Sequence, residues 1–97
     1  MTKGYWIAVY HSVFNQSALA RYAELATPVL LAHGARFLAR GRPERVFEGG
    51  ADERCVVIEF PSVEQAVAAY ESEEYQAVLA VMRDSVRREV RIVSGIG

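Results

Sequence analysis

An α+β fold, with a four-stranded sheet carrying two helices on one face, is the architecture this chain predicts. Three observations lead there. Four segments alternate their side chains as strands do, two longer stretches change to helical spacing, and the order is strand, helix, strand, strand, helix, strand.

"GYWIAVYHSV" (4–13) places Tyr5, Ile7 and Val9 on one face and Trp6, Ala8 and Tyr10 on the other, and its aromatic and β-branched content favours a strand. The period then changes. Leu19, Tyr22, Ala23, Ala26, Val29, Leu30 and His33 recur at helical spacing, Asn15 or Ser17 can cap the start, and Gly34 can close the end in a left-handed conformation. Pro28 removes an amide donor, so a kink or break is expected near Thr27. "ARFLARGRPERVFEGG" reads as a strand interrupted at Gly41 to Pro43, with "GGAD" as the turn and "RCVVIEF" as the third strand. Pro61 ends that strand, and Ser62 with Gln65 three residues on is a capping-box signature. Tyr75, Val78, Leu79 and Met82 share a stripe after a second cap at Ser72, which gives one stepped helix or two short ones. "REVRIVSG" (88–95) closes the chain with another strand.

This order is the split β-α-β-β-α-β pattern of the ferredoxin-like fold. One face of such a sheet is left open. Val56, Ile58 and Phe60 suit the helix-covered face, whereas Cys55, Val57 and Glu59 form the opposite row. Trp6, Ala8 and Tyr10, with Arg36, Leu38 and Arg40, are assigned to the open face as well. A face that apolar calls for a cover, and a second copy of the sheet supplies it.

Composition limits the function classes. The 97 residues, 52% hydrophobic and 24% charged, suit one folded domain spanning 1–97. So short a chain buries only about 60–70% of its unfolded surface, which favours a homodimer. A formal net charge of -1 and a pI near 6.1 provide no basic field for nucleic acid or anionic membranes. With no long apolar run and no leader-like start, no membrane association is expected and a cytoplasmic location is the default. Cys55 is the lone cysteine, so an intrachain disulfide is excluded; His11 and His33 show no metal-ligand spacing, and neither a metal nor a cofactor is expected.

The candidate site begins with Glu59, a carboxylate between Ile58 and Phe60. Between packed sheets it must find a cation, find donors or take up a proton. Arg36 and Arg40 come from the neighbouring strand, so Glu59 is either a structural ion-pair partner or a proton-handling group beside arginines that grip an anion. His33 is a candidate base or simply a helix-end histidine. Tyr22, Tyr70 and Tyr75 lie on apolar stripes, and each hydroxyl needs a partner. Arg83 reaches a sheet end or solvent. "RRE" (87–89) reads as a solvated strand start, and "GARFLARG" lacks the strand-to-helix context of a phosphate loop.

"KGYWIA", "RYAELATPVLLAHGARFLARG", "EGG", "RCVVIEFPSVEQAVAAYESEEYQAVLAVMR" and "VSG" together resemble the domain of unknown function 1330 family over nearly the whole chain. Positions matching that pattern include Tyr22, Gly34, Arg36, Arg40, Arg54, Glu59, Ser62, Tyr70, Ser72, Tyr75 and Arg83; Ala35 and Asn15 depart from it, where a glycine and an aspartate are common. The resemblance implies a ferredoxin-like protomer that pairs sheet to sheet as a dimeric α/β barrel. It implies no reaction. Relatives by fold include cofactor-independent monooxygenases and lactone isomerases that place substrates between sheet and helices, which is analogy of fold.

Three functions follow. The favoured one is a homodimeric small-molecule-binding protein or enzyme presenting Glu59, Arg36, Arg40 and Tyr75, with Tyr22 and Arg83 nearby, to a small organic ligand. The second is a cofactor-free monooxygenase or isomerase with Glu59 or His33 as base and Trp6 or Tyr10 as an aromatic wall. The third is a dimerisation module in which Glu59 only fixes geometry.

Overall fold

A computed structural model of the chain describes residues 2–97. The elements run β1 (Gly4–Val13), α1 (Gln16–Ala32), β2 (Arg36–Gly41), β3 (Cys55–Phe60), α2 (Val63–Glu71), α3 (Glu73–Leu79), a short 3₁₀ turn (Ala80–Met82) and β4 (Val86–Ser94). The sheet order is β2-β3-β1-β4, and every neighbouring pair is antiparallel. This is the ferredoxin-like arrangement expected from the element order.

Local chemistry sets the helix ends. Asn15 accepts from the Ala18 amide at 3.1 Å, and Ser62 and Ser72 accept from the Gln65 and Tyr75 amides at 3.1 and 3.2 Å, so each helix begins on a polar cap. Only half of the expected capping box at Ser62 forms. The Gln65 side chain instead donates to the His33 carbonyl at 3.3 Å and ties α2 to the end of α1. That end closes on Gly34 at φ 91°, with amides of Gly34 and Ala35 bonded to Leu31 and Leu30 carbonyls at 3.0 and 3.1 Å, a Schellman closure that a side chain at Gly34 would strain. Pro28 lies inside α1, which runs on without the expected break. The Thr27 hydroxyl donates to the Ala23 carbonyl at 2.8 Å in the same turn. The helical segment after Ser62 is two short helices meeting at Ser72, one of the two forms expected.

Register corrects the sequence reading of the sheet faces. Trp6 lies opposite Ile58 and Ile92, Ala8 opposite Val56 and Val90, and Tyr10 opposite Arg88. Trp6, Ala8 and Tyr10 therefore share the helix-covered face with Val56, Ile58 and Phe60, and all six are buried. They are not on the open face. Both rows of β1 are apolar, so alternation could not choose between them, and a slip of one position inverts the assignment. The outer row is Tyr5, Ile7, Val9, Cys55, Val57 and Glu59, all half-buried.

A second correction concerns β2. Arg36 and Phe37 pair with Glu59 and Ile58, but Ala39 and Arg40 pair with Val57 and Val56, so one extra residue, Leu38, is inserted between them. The bulge puts Arg36 on the outer face and turns Arg40 toward the helices. β2 ends at Gly41, and the bend expected at Gly41 to Pro43 is the start of a loop rather than an interruption within a strand.

At the edge of the core, β1 approaches α2 with nothing between them. A Cβ on Gly4 would stand 2.7 Å from the Ser62 carbonyl oxygen and 2.8 Å from the Val63 Cα, both backbone atoms that cannot step aside alone. Gly4→Ala is expected to cost about 1–3 kcal/mol, read as a lower urea midpoint with an unchanged slope.

Candidate functional site

Three arginines line a cavity between α1 and the sheet, Arg54 and Arg88 half-buried and Arg40 exposed. Arg40, Arg54 and Arg88 line one cavity together with Tyr10, Tyr22 and Phe37, and no Asp or Glu is among its lining residues. The cavity holds about 20 Å³, room for roughly one water-sized group. Each guanidinium arrives from a different element.

Arg40 is turned inward by the bulge at Leu38. Its Nη1 donates to Thr27 Oγ1 at 3.2 Å, and its guanidinium carbon lies 4.5 Å from the centre of the Phe37 ring, a cation–π position. Arg54 precedes β3, and its carbonyl accepts from the Tyr10 amide at 3.0 Å. Its Nε is buried and has no hydrogen-bond partner among the described residues. An orphan donor of this kind calls for an acceptor.

Arg88 reaches in from β4. Its Nη2 donates to the Tyr75 hydroxyl at 2.8 Å and its Nη1 to the Tyr10 hydroxyl at 3.3 Å, while its carbon stands 5.6 and 5.4 Å from the Tyr10 and Tyr22 ring centres. Tyr22 and Tyr75 share a 2.6 Å hydroxyl contact. Trp6 meets Tyr75 edge-on at 5.2 Å and fixes the ring that carries this hydroxyl. Among the described residues no carboxylate pairs with Arg88. Burial opposes its charge, but the surrounding phenol oxygens more than offset that and keep it protonated. Burial likewise raises the Tyr10, Tyr22 and Tyr75 hydroxyls above the ordinary phenol value despite the nearby guanidinium. These phenols stay protonated at neutral pH and do not act as bases; Tyr10 and Tyr75 accept from Arg88 while keeping a hydroxyl hydrogen to donate.

Arg88 also lines a groove of about 410 Å³ between α2 and β4, with Val67, Tyr70, Glu71, Val90 and Ile92. A further hollow of about 200 Å³ shares Tyr70 and Arg88 and is lined by Leu79, Met82, Val86 and the exposed Arg83.

The structure divides the residues that the sequence suggested. Trp6, Tyr10, Tyr22 and Tyr75 come together beneath the helices, the exposed Arg40 lines the same cavity as the first three, and Arg83 lines the outer hollow. Glu59 and Arg36 lie on the opposite face, so the single cavity expected to hold Glu59, Arg36, Arg40 and Tyr75 is not formed. His33 caps the end of α1, where its carbonyl, not its ring, takes the Gln65 bond. Glu59 is answered by Tyr5, whose hydroxyl donates at 3.1 Å, by Lys3 at 3.3 Å and by Arg36 at 4.0 Å. Burial works against the carboxylate, but the Lys3 and Tyr5 hydrogen bonds and the Lys3 and Arg36 charges prevail and lower its pKa. Arg54 and Arg88 were not singled out as site residues. Arg88 had a readable signal, because it stands in the row Val86, Val90, Ile92 while Arg87, Glu89 and Arg91 take the other face.

The sequence profile described as "Domain of unknown function (DUF1330)" matches residues 3–96. No curated protein gives a significant match. Among solved structures, a protein of unknown function from Rhodopseudomonas palustris superposes with a TM-score of 0.78 at 16% identity, covering 99% of this chain and 84% of that one. A DABB family protein with a ferredoxin-like fold from Mesorhizobium loti gives 0.69 at 13% identity over 100% of both chains. A dimeric ferredoxin-like protein of unknown function from Thermobifida fusca gives 0.64 at 15%, covering 96% and 91%. At these identities the likeness establishes the fold.

Two outcomes test this geometry. Tyr75→Phe removes the acceptor of Arg88 and leaves the Tyr22 hydroxyl unpaired, and a loss of about 1–3 kcal/mol is expected from chemical denaturation. Glu59→Gln is expected to lower the melting temperature at pH 7. Because the folded-state pKa of Glu59 is lowered, its contribution is complete above the ordinary carboxyl value of about 4.3 and disappears as pH falls through the lower folded value. Melting curves of the two proteins should therefore converge on acidification.

Proposed function

The chain belongs to the domain of unknown function family DUF1330, and we propose that it is a homodimeric small-molecule-binding protein or enzyme that accepts the anionic group of a small organic ligand between its sheet and helices. One observation carries the reading: Arg40, Arg54 and Arg88 line a common cavity whose lining contains no carboxylate. Guanidinium groups drawn partly out of water need an opposite charge or several good acceptors. Here the acceptors are one threonine and two tyrosine hydroxyls, and the buried Arg54 Nε has none. A carboxylate supplies two acceptor oxygens and the missing charge in a form that arginine binds through paired donors. Tyr10, Tyr22 and Tyr75, protonated at neutral pH, can add hydrogen bonds but cannot repel the ligand.

Homodimerisation is supported by the outer sheet face. Ile7, Val9 and Val57 form an apolar row there, and Leu38 and Val93 are exposed large hydrophobics. The solved Thermobifida fusca structure of the same fold is that of a dimer. On this reading Glu59, held by Lys3, Tyr5 and Arg36, lies at the sheet-to-sheet contact, and the arginine cavity lies away from it beneath the helices.

The test is calorimetric titration of the purified protein with benzoate at pH 7, beside Arg54→Gln. Losing one charge-assisted donor pair should weaken binding tenfold or more. Absence of benzoate binding at millimolar concentration, or equal affinity in the variant, overturns the assignment.

A further inference from the structure

We infer that the anionic ligand carries an apolar body, of about the size of a phenyl ring, which lies in the groove between α2 and β4. The inference rests on the reading of the arginine cavity as the anion site. That cavity, at about 20 Å³, has room for one water-sized group, enough for one oxygen of an anionic head and none of a ligand's body. The groove holds about 410 Å³, within the range of small-molecule sites.

Arg88 is the residue common to both. On β4 it is followed at the same face by Val90 and Ile92, which line the groove together with Val67 and Tyr70 of α2. The Tyr70 ring is held in place by Trp6 at 5.5 Å and Tyr75 at 5.3 Å. A cation at one end of an apolar trough selects a molecule with matching parts, an anionic group for Arg88 and a hydrocarbon or aromatic body for Val67, Val90 and Ile92. Glu71 also lines the groove. Its carboxylate disfavours a second anionic group at that position, so the ligand is a monoanion with charge at one end rather than a diacid. The occupant is thus an aryl or short alkyl carboxylate, not an inorganic anion.

A series of acids of equal charge separates the two layers of the argument. Acetate, benzoate and 3-phenylpropionate are titrated at pH 7 into the wild type and into Val67→Trp, which fills the groove from the exposed side of α2. Benzoate and 3-phenylpropionate are expected to bind about tenfold or more tightly than acetate, because each buries an apolar ring, and Val67→Trp is expected to abolish that difference. If all three acids bind alike, the groove is not the body's site and this inference falls while the anion cavity stands. If none binds, both readings fall. If the solution dimer proves to seat its partner over Val90 and Ile92, seen as protection of their amides from hydrogen exchange that is lost on dilution to monomer, the groove is an interface and the inference is overturned.

Discussion

β1 is bonded on both sides, to β3 and to β4, and the register of those two ladders decides what chemistry the interior contains. With Trp6 opposite Ile58 and Ile92, the largest side chain of the sheet lies under the helices. Tyr75 then meets its ring edge-on and Phe60 stacks at 5.9 Å. Four residues along, the same register carries Tyr10 and Arg88 to the helix-covered face as a cross-strand pair. Polar ends buried by an apolar row must find partners, and the Arg88, Tyr10, Tyr22 and Tyr75 cluster is the outcome. Shift the β1–β4 ladder by one residue and Arg88 would be on the outer face, while Glu89 or Arg87 entered the core in its place.

A single inserted residue produces the other division. Leu38 breaks the register of β2 against β3, so two arginines four positions apart leave the strand on opposite faces. Arg36 remains outside, near Glu59, where charges of both signs meet and largely satisfy one another. Arg40, itself exposed, lines the same cavity as the half-buried Arg54 and Arg88, where only one sign is present in the lining. The chain is nearly neutral as a whole. Its charge is nevertheless sorted across the sheet, so that the ionisable charges lining the cavity are all positive although the net value is close to zero.

The element order, the caps at Asn15, Ser62 and Ser72 and the glycine closure at Gly34 were all legible in the sequence, because each depends on residues within one turn of the chain. The rest depends on pairing between distant segments. No local pattern distinguishes the two apolar rows of β1, and no glycine or proline marks the bulge at Leu38, so Trp6 and Tyr10 were assigned to the wrong face and Arg36 and Arg40 to a common one. Glu59 drew attention as a charge within an apolar strand, and the structure answers it with Lys3 and Tyr5, residues that sit ahead of and within β1. Arg88 was hidden by its neighbours: "RRE" looks solvated when read as a run. Read every second residue, it is an arginine in line with valines.

The tyrosines explain how the interior tolerates such a cation without a carboxylate. A buried acid beside Arg88 would form a strong pair, but it would also occupy the guanidinium and exclude an incoming anion. Phenol hydroxyls orient Arg88 through two hydrogen bonds and two ring faces and leave its charge uncancelled. Their raised pKa values keep them neutral, so the positive charge of Arg88 is not cancelled by them at neutral pH. On the proposed reading the arrangement is preorganised: Arg88 is already held by two hydroxyls, so little side-chain freedom would be lost on binding an acid. Core stability and the orientation of the cation consequently trace to the same residues, since the Tyr10 and Tyr75 hydroxyls that are buried with the core also hold Arg88.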